Sequence, residues 1–320
     1  MKTFIYHESP EYPELNIRYY GLLKALGSME GISSIYISLG KGKQEKIENF
    51  KRVYAEGKYT LPEDGILMNA DPQMHDTVKA LKHKTYIFDV AGLPIFRYSA
   101  WESSMQKAIL DADYVIAISQ ECKNYVLNTT SREAIVIKNG VDRQAFMDSL
   151  TTMSTHNDRH TVGVLGDMSQ MDYQLLDDVI RQCAEYNFIF FCDKKKVYPS
   201  YGNMVFLKER YPDEYIPIIK GLDAMIVPLK TYPTKKISDY VHLYECIANE
   251  KPIIATSALA ETSGILRRYI DIQDGHIDFA NSIRIAIEGK NSLVKKASMA
   301  AVENDDWKNR AEEIISMLET

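Results

Sequence analysis

The sequence predicts an α/β chain of two doubly wound, Rossmann-like domains, and three observations carry that expectation. Short apolar runs alternate with helical patterns along all 320 residues. Some runs are continuously apolar, such as FIFFC at 188–192 and AMIVPL at 224–229. Such runs suit strands buried on both faces, in a parallel sheet covered by helices. A polar, aperiodic segment at 149–160, SLTTMSTHNDRH, separates two sets of about six runs, too many for one sheet in a chain of this length.

Taken in order, the expected strands of the first half are Thr3–Tyr6, Ile35–Ser38, Ile66–Asn69, Tyr86–Val90, Tyr114–Ser119 and Ala134–Lys138. Those of the second half are Thr161–Leu165, Phe188–Asp193, Met204–Leu207, Ala224–Leu229, Pro252–Thr256 and Tyr269–Ile272. Repeated strand–helix alternation of this kind is the mark of doubly wound sheets. The expected division is a first domain at 1–150, a second at 160–304, and a terminal helix at 305–320. Trp307, Ala311, Ile314, Ile315 and Leu318 share one face of that helix. It either crosses back to brace the first domain or packs only on the second. The basic stretch from Gly40 to Lys58 reads as a solvated loop and helix, with a site for a membrane surface or an anionic acceptor as the alternative.

Composition sets outer limits. Hydrophobic residues make up 45% and charged residues 26%, which argues against a disordered or fibrous chain. The net charge is -6, so whole-molecule attraction to nucleic acid or anionic lipid is not expected. No run approaches the ~18 apolar residues of a membrane-spanning helix. The start, MKTFIYHESPEYPEL, lacks the ~7–15 apolar residues of a signal peptide. The expected location is therefore the cytoplasm, with peripheral membrane contact left open. Cys122, Cys183, Cys192 and Cys246 form no C-x-x-C pair and read as reduced, mostly buried thiols rather than a zinc site.

Two Rossmann-like domains are expected to enclose a cleft at the carboxyl ends of their strands, where such sheets bind ligands. Four passages are placed to reach it. Gly166, in VGVLGDMSQMDYQLL at 162–176, lets backbone approach a ligand before a helix whose start can hold phosphate. In ISDYVHLYECIA at 237–248, Glu245 lies among apolar neighbours and must reach solvent or find hydroxyl partners. Two ribose hydroxyls would satisfy it. The first-turn amides of that helix, near Val241, His242, Leu243 and Tyr244, suit a diphosphate. Lys230, Lys235 and Lys236 in KTYPTKK put positive charge beside them, although each also reads as an ordinary solvated lysine. On the first domain, His7 and Glu8 follow the first strand, Asp89 ends another, and Arg97 lies in the loop beyond. Asp89 as a turn cap and His7 as a surface residue are the competing readings.

The ordered motifs resemble the group 1 (family 4-like) glycosyltransferases of the GT-B fold. Asp111–Ser119 (DADYVIAIS) resembles the family's "aD.vi.vS" strand. Ile137–Asp142 (IKNGVD) with Phe146 resembles "ipNGvD...F", and Thr161–Leu176 resembles the "vGyvG" opening of the donor domain. Asn203–Leu207, Tyr215–Ile219 and Gly221–Pro228 resemble "nv.flG......y....D..i.P". His242–Ala248 with Lys251–Thr256 resembles "KlyEylA.GkPvvaT", and Trp307 with Arg310 resembles the terminal "W..r" helix.

That resemblance implies retaining transfer of a sugar from a nucleotide-sugar, UDP- or GDP-linked, with no cofactor. Glu245 matches the carboxylate that holds the donor ribose, and Gly166 matches the loop under the diphosphate. The sequence also departs from the family. Its usual Arg and Lys after the glycine fall near Asp167 and Met171, the first Glu of E-x7-E falls at Ile237, and the N-terminal glycine-rich loop is missing. Lys235 and Lys236 are the expected replacement cations, and Asp89 and His7 the expected catalytic residues. The acceptor is left open among glycans, lipid-linked molecules and proteins. The alternative is a non-catalytic protein of the same fold that binds a sugar nucleotide or supports a partner transferase.

Overall fold

The computed structural model describes residues 1–8, 17–47, 49–56, 60–93, 99–150, 159–166, 170–191, 201–207, 212–231, 239–260, 266–290 and 297–320. They divide into two units, Met1–Gly140 with Asp305–Thr320, and Val141–Asn304.

The first unit opens with β1 (Lys2–His7), α1 (Ile17–Gly27), β2 (Ile32–Ser38), β3 (Glu45–Ile47), β4 (Phe50–Tyr54) and β5 (Ile66–Asn69). It continues through α2 (His75–Lys79), β6 (Thr85–Val90), α3 (Ser99–Asp111), β7 (Tyr114–Ala117), α4 (Gln120–Thr130) and β8 (Ile135–Val136). The sheet order is β3-β4-β2-β1-β5-β6-β7-β8. Every pairing is parallel except β3 with β4. The order reverses at β1 and β5, which is the switch point where doubly wound sheets take ligands. Phe4, Ile5, Leu67, Met68, Ile87 and Phe88 are fully buried, consecutive residues facing opposite sides of the sheet.

The second unit holds α5 (Arg143–Asp148), β9 (Thr161–Val164), α6 (Tyr173–Gln182), β10 (Asn187–Phe190), β11 (Met204–Phe206) and α7 (Pro212–Lys220). Then come β12 (Ala224–Val227), α8 (Val241–Ala248), β13 (Ile253–Ala255), β14 (Ile270–Ile272) and α9 (His276–Ile287). All pairings in the order β11-β10-β9-β12-β13-β14 are parallel. The switch point lies between β9 and β12. β12 shows why both faces must be apolar. Met225 and Val227 pack with Ile216 and Ile219 of α7 and Leu243 and Ile247 of α8. Ala224 and Ile226 pack with Leu176 and Val179 of α6 and Phe279 and Ile283 of α9.

The last helix, α10 (Trp307–Met317), belongs to the first unit. Trp307 makes that docking specific. A β-carbon on Gly21 of α1 would lie 2.3 Å from its indole, and one on Gly140 would lie 2.8 Å from Asp305 O. Arg310 donates to Asn139 O at 3.1 Å and also holds Asp305. The IKNG segment is thus stapled to the terminal helix.

Several boundaries differ from expectation for identifiable reasons. The first domain ends at Gly140 rather than 150, because Val141 and Phe146 sit in the apolar core of the second unit. Lys220 fixes the α5 end there by donating to Phe146 O at 2.7 Å. The 40–58 stretch is not a loop and helix. It carries the β3–β4 hairpin, with Phe50 and Val53 buried. β7 stops at Ala117, short of Ser119, because the Ser119 hydroxyl caps α4 by accepting from Cys122 N. β12 stops before Pro228, which has no N–H for a ladder.

Candidate functional site

At the carboxyl end of the second sheet, β9 runs into Gly166, whose φ is +123°. Only glycine is at ease there. A β-carbon on it would also lie 2.2 Å from the Tyr240 hydroxyl. Tyr240 precedes α8 as its N-cap residue, with no side-chain cap bond to the helix start. The switch-point loop therefore meets the start of α8 through the Gly166–Tyr240 contact.

One turn into α8 stands Glu245, 4% exposed. It stands in a stretch of helix buried all round, with Leu243, Tyr244, Cys246 and Ile247 also buried. The carboxylate finds hydroxyl company inside the protein. The Tyr215 hydroxyl on α7 donates to Oε1, and His242 Nδ1 lies 2.9 Å from Oε2. Because a carboxylate oxygen can only accept, Nδ1 carries the proton of that bond. His242 also sets its ring edge against Tyr240, centroids 5.4 Å apart. Asn249, just beyond α8, donates to Ile219 O at 2.7 Å and locks α7 against α8. Gly166, Tyr240, His242, Glu245 and Tyr215 thus form one connected group.

Other expected donor residues are placed differently. Leu243 and Tyr244 are core side chains, and the Leu243 amide donates to Tyr240 O at 3.0 Å. Met171, where a family cation was aligned, is 1% exposed and bridges to Leu229. The 170–172 and 228–230 backbones zip together there, through Lys230 N to Gln170 O and Asp172 N to Pro228 O, both 2.8 Å. Lys230 lies over the Tyr173 ring at 5.8 Å. Lys235, Lys236, Ile237, Asp167 and Arg97 lie outside the described residues.

In the first unit the expected catalytic pair is not brought together. His7 ends β1, and β5 stands between β1 and the strand of Asp89. His7 Nδ1 donates to Glu8 O at 2.7 Å, so its neutral ring carries the lone pair on Nε2. Burial pushes its pKa below the ordinary histidine value. Glu8 accepts from Leu39 N at 2.8 Å and the Tyr36 hydroxyl at 3.3 Å.

Asp89 is fully buried. Arg18 Nε reaches its Oδ2 at 2.7 Å, Arg18 NH2 its Oδ1 at 3.4 Å, and the Tyr19 hydroxyl its Oδ2 at 3.0 Å. Arg18 also donates to Ile137 O, Lys138 O and Asn139 Oδ1. Asp89 is the enclosed anchor of an arginine that holds the IKN turn, and both its oxygens are engaged.

Tyr215, Tyr240 and Arg18 were not singled out as site residues from the sequence. Tyr215 stands 30 residues before Glu245, and Arg18 stands 71 before Asp89. No local spacing signals either pair. Among the described residues no group of three or more His, Cys, Asp or Glu is placed to hold a metal ion. Among them no helix is long and apolar enough to cross a membrane.

The sheet orders and helix placement define a chain of two doubly wound α/β units, the fold called GT-B. Solved structures agree. Sucrose-phosphate synthase from Thermosynechococcus elongatus aligns with a TM-score of 0.72 at 11% identity, over 100% of this chain and 98% of that one. The trehalose-6-phosphate structure from E. coli bound with UDP-2-fluoro glucose aligns at 0.67 and 11%, over 100% and 99%. UDP-GlcNAc 2-epimerase from Methanocaldococcus jannaschii aligns at 0.54 and 13%, over 100% and 99%. At these identities the likeness is one of fold. No family model and no curated protein matches the sequence.

Proposed function

We propose that this chain is a glycosyltransferase that moves a sugar, with retention, from a UDP- or GDP-sugar to a glycan, lipid-linked or protein acceptor. The observation that carries the reading is the Gly166–Tyr240–His242–Glu245 group at the switch point of the second sheet. It combines a backbone free of side chain, a helix start, and a nearly buried carboxylate. Those are the parts needed for a diphosphate and the vicinal hydroxyls of a ribose. The E. coli neighbour bound with UDP-2-fluoro glucose supports a sugar nucleotide as the ligand class.

In this proposal the second unit holds the donor and the first unit serves the acceptor. Glu245 takes the ribose. Gly166, the amides at the start of α8, Lys235 and Lys236 take the diphosphate, whose growing negative charge needs preorganised donors. His7 is the group offered to the transferring sugar, through Nε2. Asp89 is kept only as the anchor of Arg18. The reaction is placed in the cytoplasm, and the basic 40–58 segment is where a membrane surface or anionic acceptor would be met.

The test is a thermal-shift panel of UDP- and GDP-sugars, followed by detection of released nucleotide with and without added acceptors. A donor that raises the melting temperature and is turned over supports the proposal. A donor that binds without release under any acceptor would convert it to a binding protein, and no shift with any sugar nucleotide would remove it.

A further inference from the structure

We infer that Tyr215 and His242 are positioning residues that aim the Glu245 carboxylate at a vicinal diol and so set a preference for ribonucleotides over 2′-deoxyribonucleotides. The inference rests on the donor reading above and goes beyond it by naming what makes the carboxylate selective.

Each carboxylate oxygen offers two lone pairs. The Tyr215 hydroxyl takes one on Oε1, and His242 Nδ1 takes one on Oε2 at 2.9 Å. One acceptor direction on each oxygen is left, held in a fixed plane, which is the pattern two neighbouring hydroxyls require. Both partners are themselves held. Tyr215 is nearly buried, with Phe191 edge-on at 6.0 Å between centroids, and its helix is tied to α8 by Asn249. His242 sits on the same helix as Glu245, at i,i+3 spacing.

Selectivity follows from the stiffness. A loose glutamate that meets a 2′-deoxyribose can swing to its single hydroxyl and find water for the other oxygen. A clamped, desolvated one cannot, and the unmet acceptor is charged against the wrong ligand. Without either clamp the carboxylate regains its torsional freedom, and the two sugars become more alike to it.

The experiment is calorimetry with UDP, GDP, 2′-deoxy-UDP and 2′-deoxy-GDP on the full chain, with melting temperatures recorded for every variant. The wild type is expected to prefer the ribonucleotide. Tyr215→Phe and His242→Leu should each reduce that preference by about fivefold to tenfold. His242→Asn keeps a donor near the Nδ1 position and should retain it. A selective wild type whose folded Tyr215→Phe and His242→Leu variants are equally selective overturns this inference alone. Should Tyr215→Phe fail to fold, His242→Leu against His242→Asn makes the same comparison. A wild type that binds ribo and deoxy forms equally, or binds no nucleotide, overturns the ribose role of Glu245 and this inference together.

Discussion

Asp89 and Glu245 make an instructive pair. Each is a nearly or fully buried carboxylate on the main body of its unit, and each accepts a tyrosine hydroxyl. They differ in the other partner. Asp89 faces the Arg18 guanidinium through both oxygens, while Glu245 faces a single imidazole nitrogen. Arg18 is a full cation whose remaining donors go to two backbone carbonyls and Asn139 Oδ1, so Asp89 ends as one node of a closed scaffold. Glu245 keeps acceptor capacity on each oxygen. Burial alone thus does not separate the two carboxylates, and the number of donors spent on each does.

Removing Arg18 should break the contrast most severely. Arg18→Leu leaves a buried, unpaired carboxylate and releases the 137–139 carbonyls, with an expected loss of about 3–5 kcal/mol of stability. Urea unfolding measures it, and a loss under 1 kcal/mol would show that the pair is not structural. Next comes Lys235→Ala with Lys236→Ala, which should lower turnover by roughly a hundredfold with little change in melting temperature. Intact turnover and donor affinity would mean that the diphosphate is held elsewhere, with Lys230 or Arg97 the next candidates. Glu245→Gln should weaken donor binding by about 1–3 kcal/mol and leave the fold intact, the reverse of the Arg18 result. Calorimetry that returns unchanged sugar-nucleotide affinity would make the two carboxylates equivalent after all.

The smallest effect concerns His7. Its folded pKa is depressed by burial, so the unfolded chain binds more protons through this group as pH falls. Its stabilising contribution is full above the ordinary histidine value of about 6.5 and is lost as pH drops through the folded value. The stability difference between wild type and His7→Gln, measured by urea unfolding at pH 7.5 and pH 5, should therefore shift against the wild type on acidification. A difference that does not move with pH would place His7 in contact with water in the folded state.

The apolar runs were readable because strands buried on both faces leave a local mark. Phe188–Phe190 and Ala224–Val227 need no knowledge of their neighbours to be recognised. β3 and β4 escaped because their mark is diluted. Phe50 and Val53 are separated by Lys51 and Arg52, and Phe50 is covered by Tyr20 of α1 and Tyr36 of β2, which lie far from it in sequence. The Gly40–Lys58 charges drew attention to the solvent side of a strand at the margin of a sheet. At the site, Gly166 and Glu245 were legible, one from its turn and the other as a carboxylate stranded among apolar residues. Tyr215 was not, since nothing within a helical turn of it points to Glu245.

By itself the sequence determined two parallel-sheet units, the glycine at the end of β9, and a carboxylate in need of hydroxyl partners on α8. All of these follow from periodicity, backbone freedom and the cost of burying charge, which act over a few residues. Only the tertiary structure decided that the division falls at Gly140, that Trp307 docks on Gly21, that Arg18 consumes Asp89, and that Tyr215 and His242 hold Glu245. Most of those outcomes depend on side chains brought together from distant segments. Such pairings are set by how helices pack on a sheet, and no window along the chain contains that information.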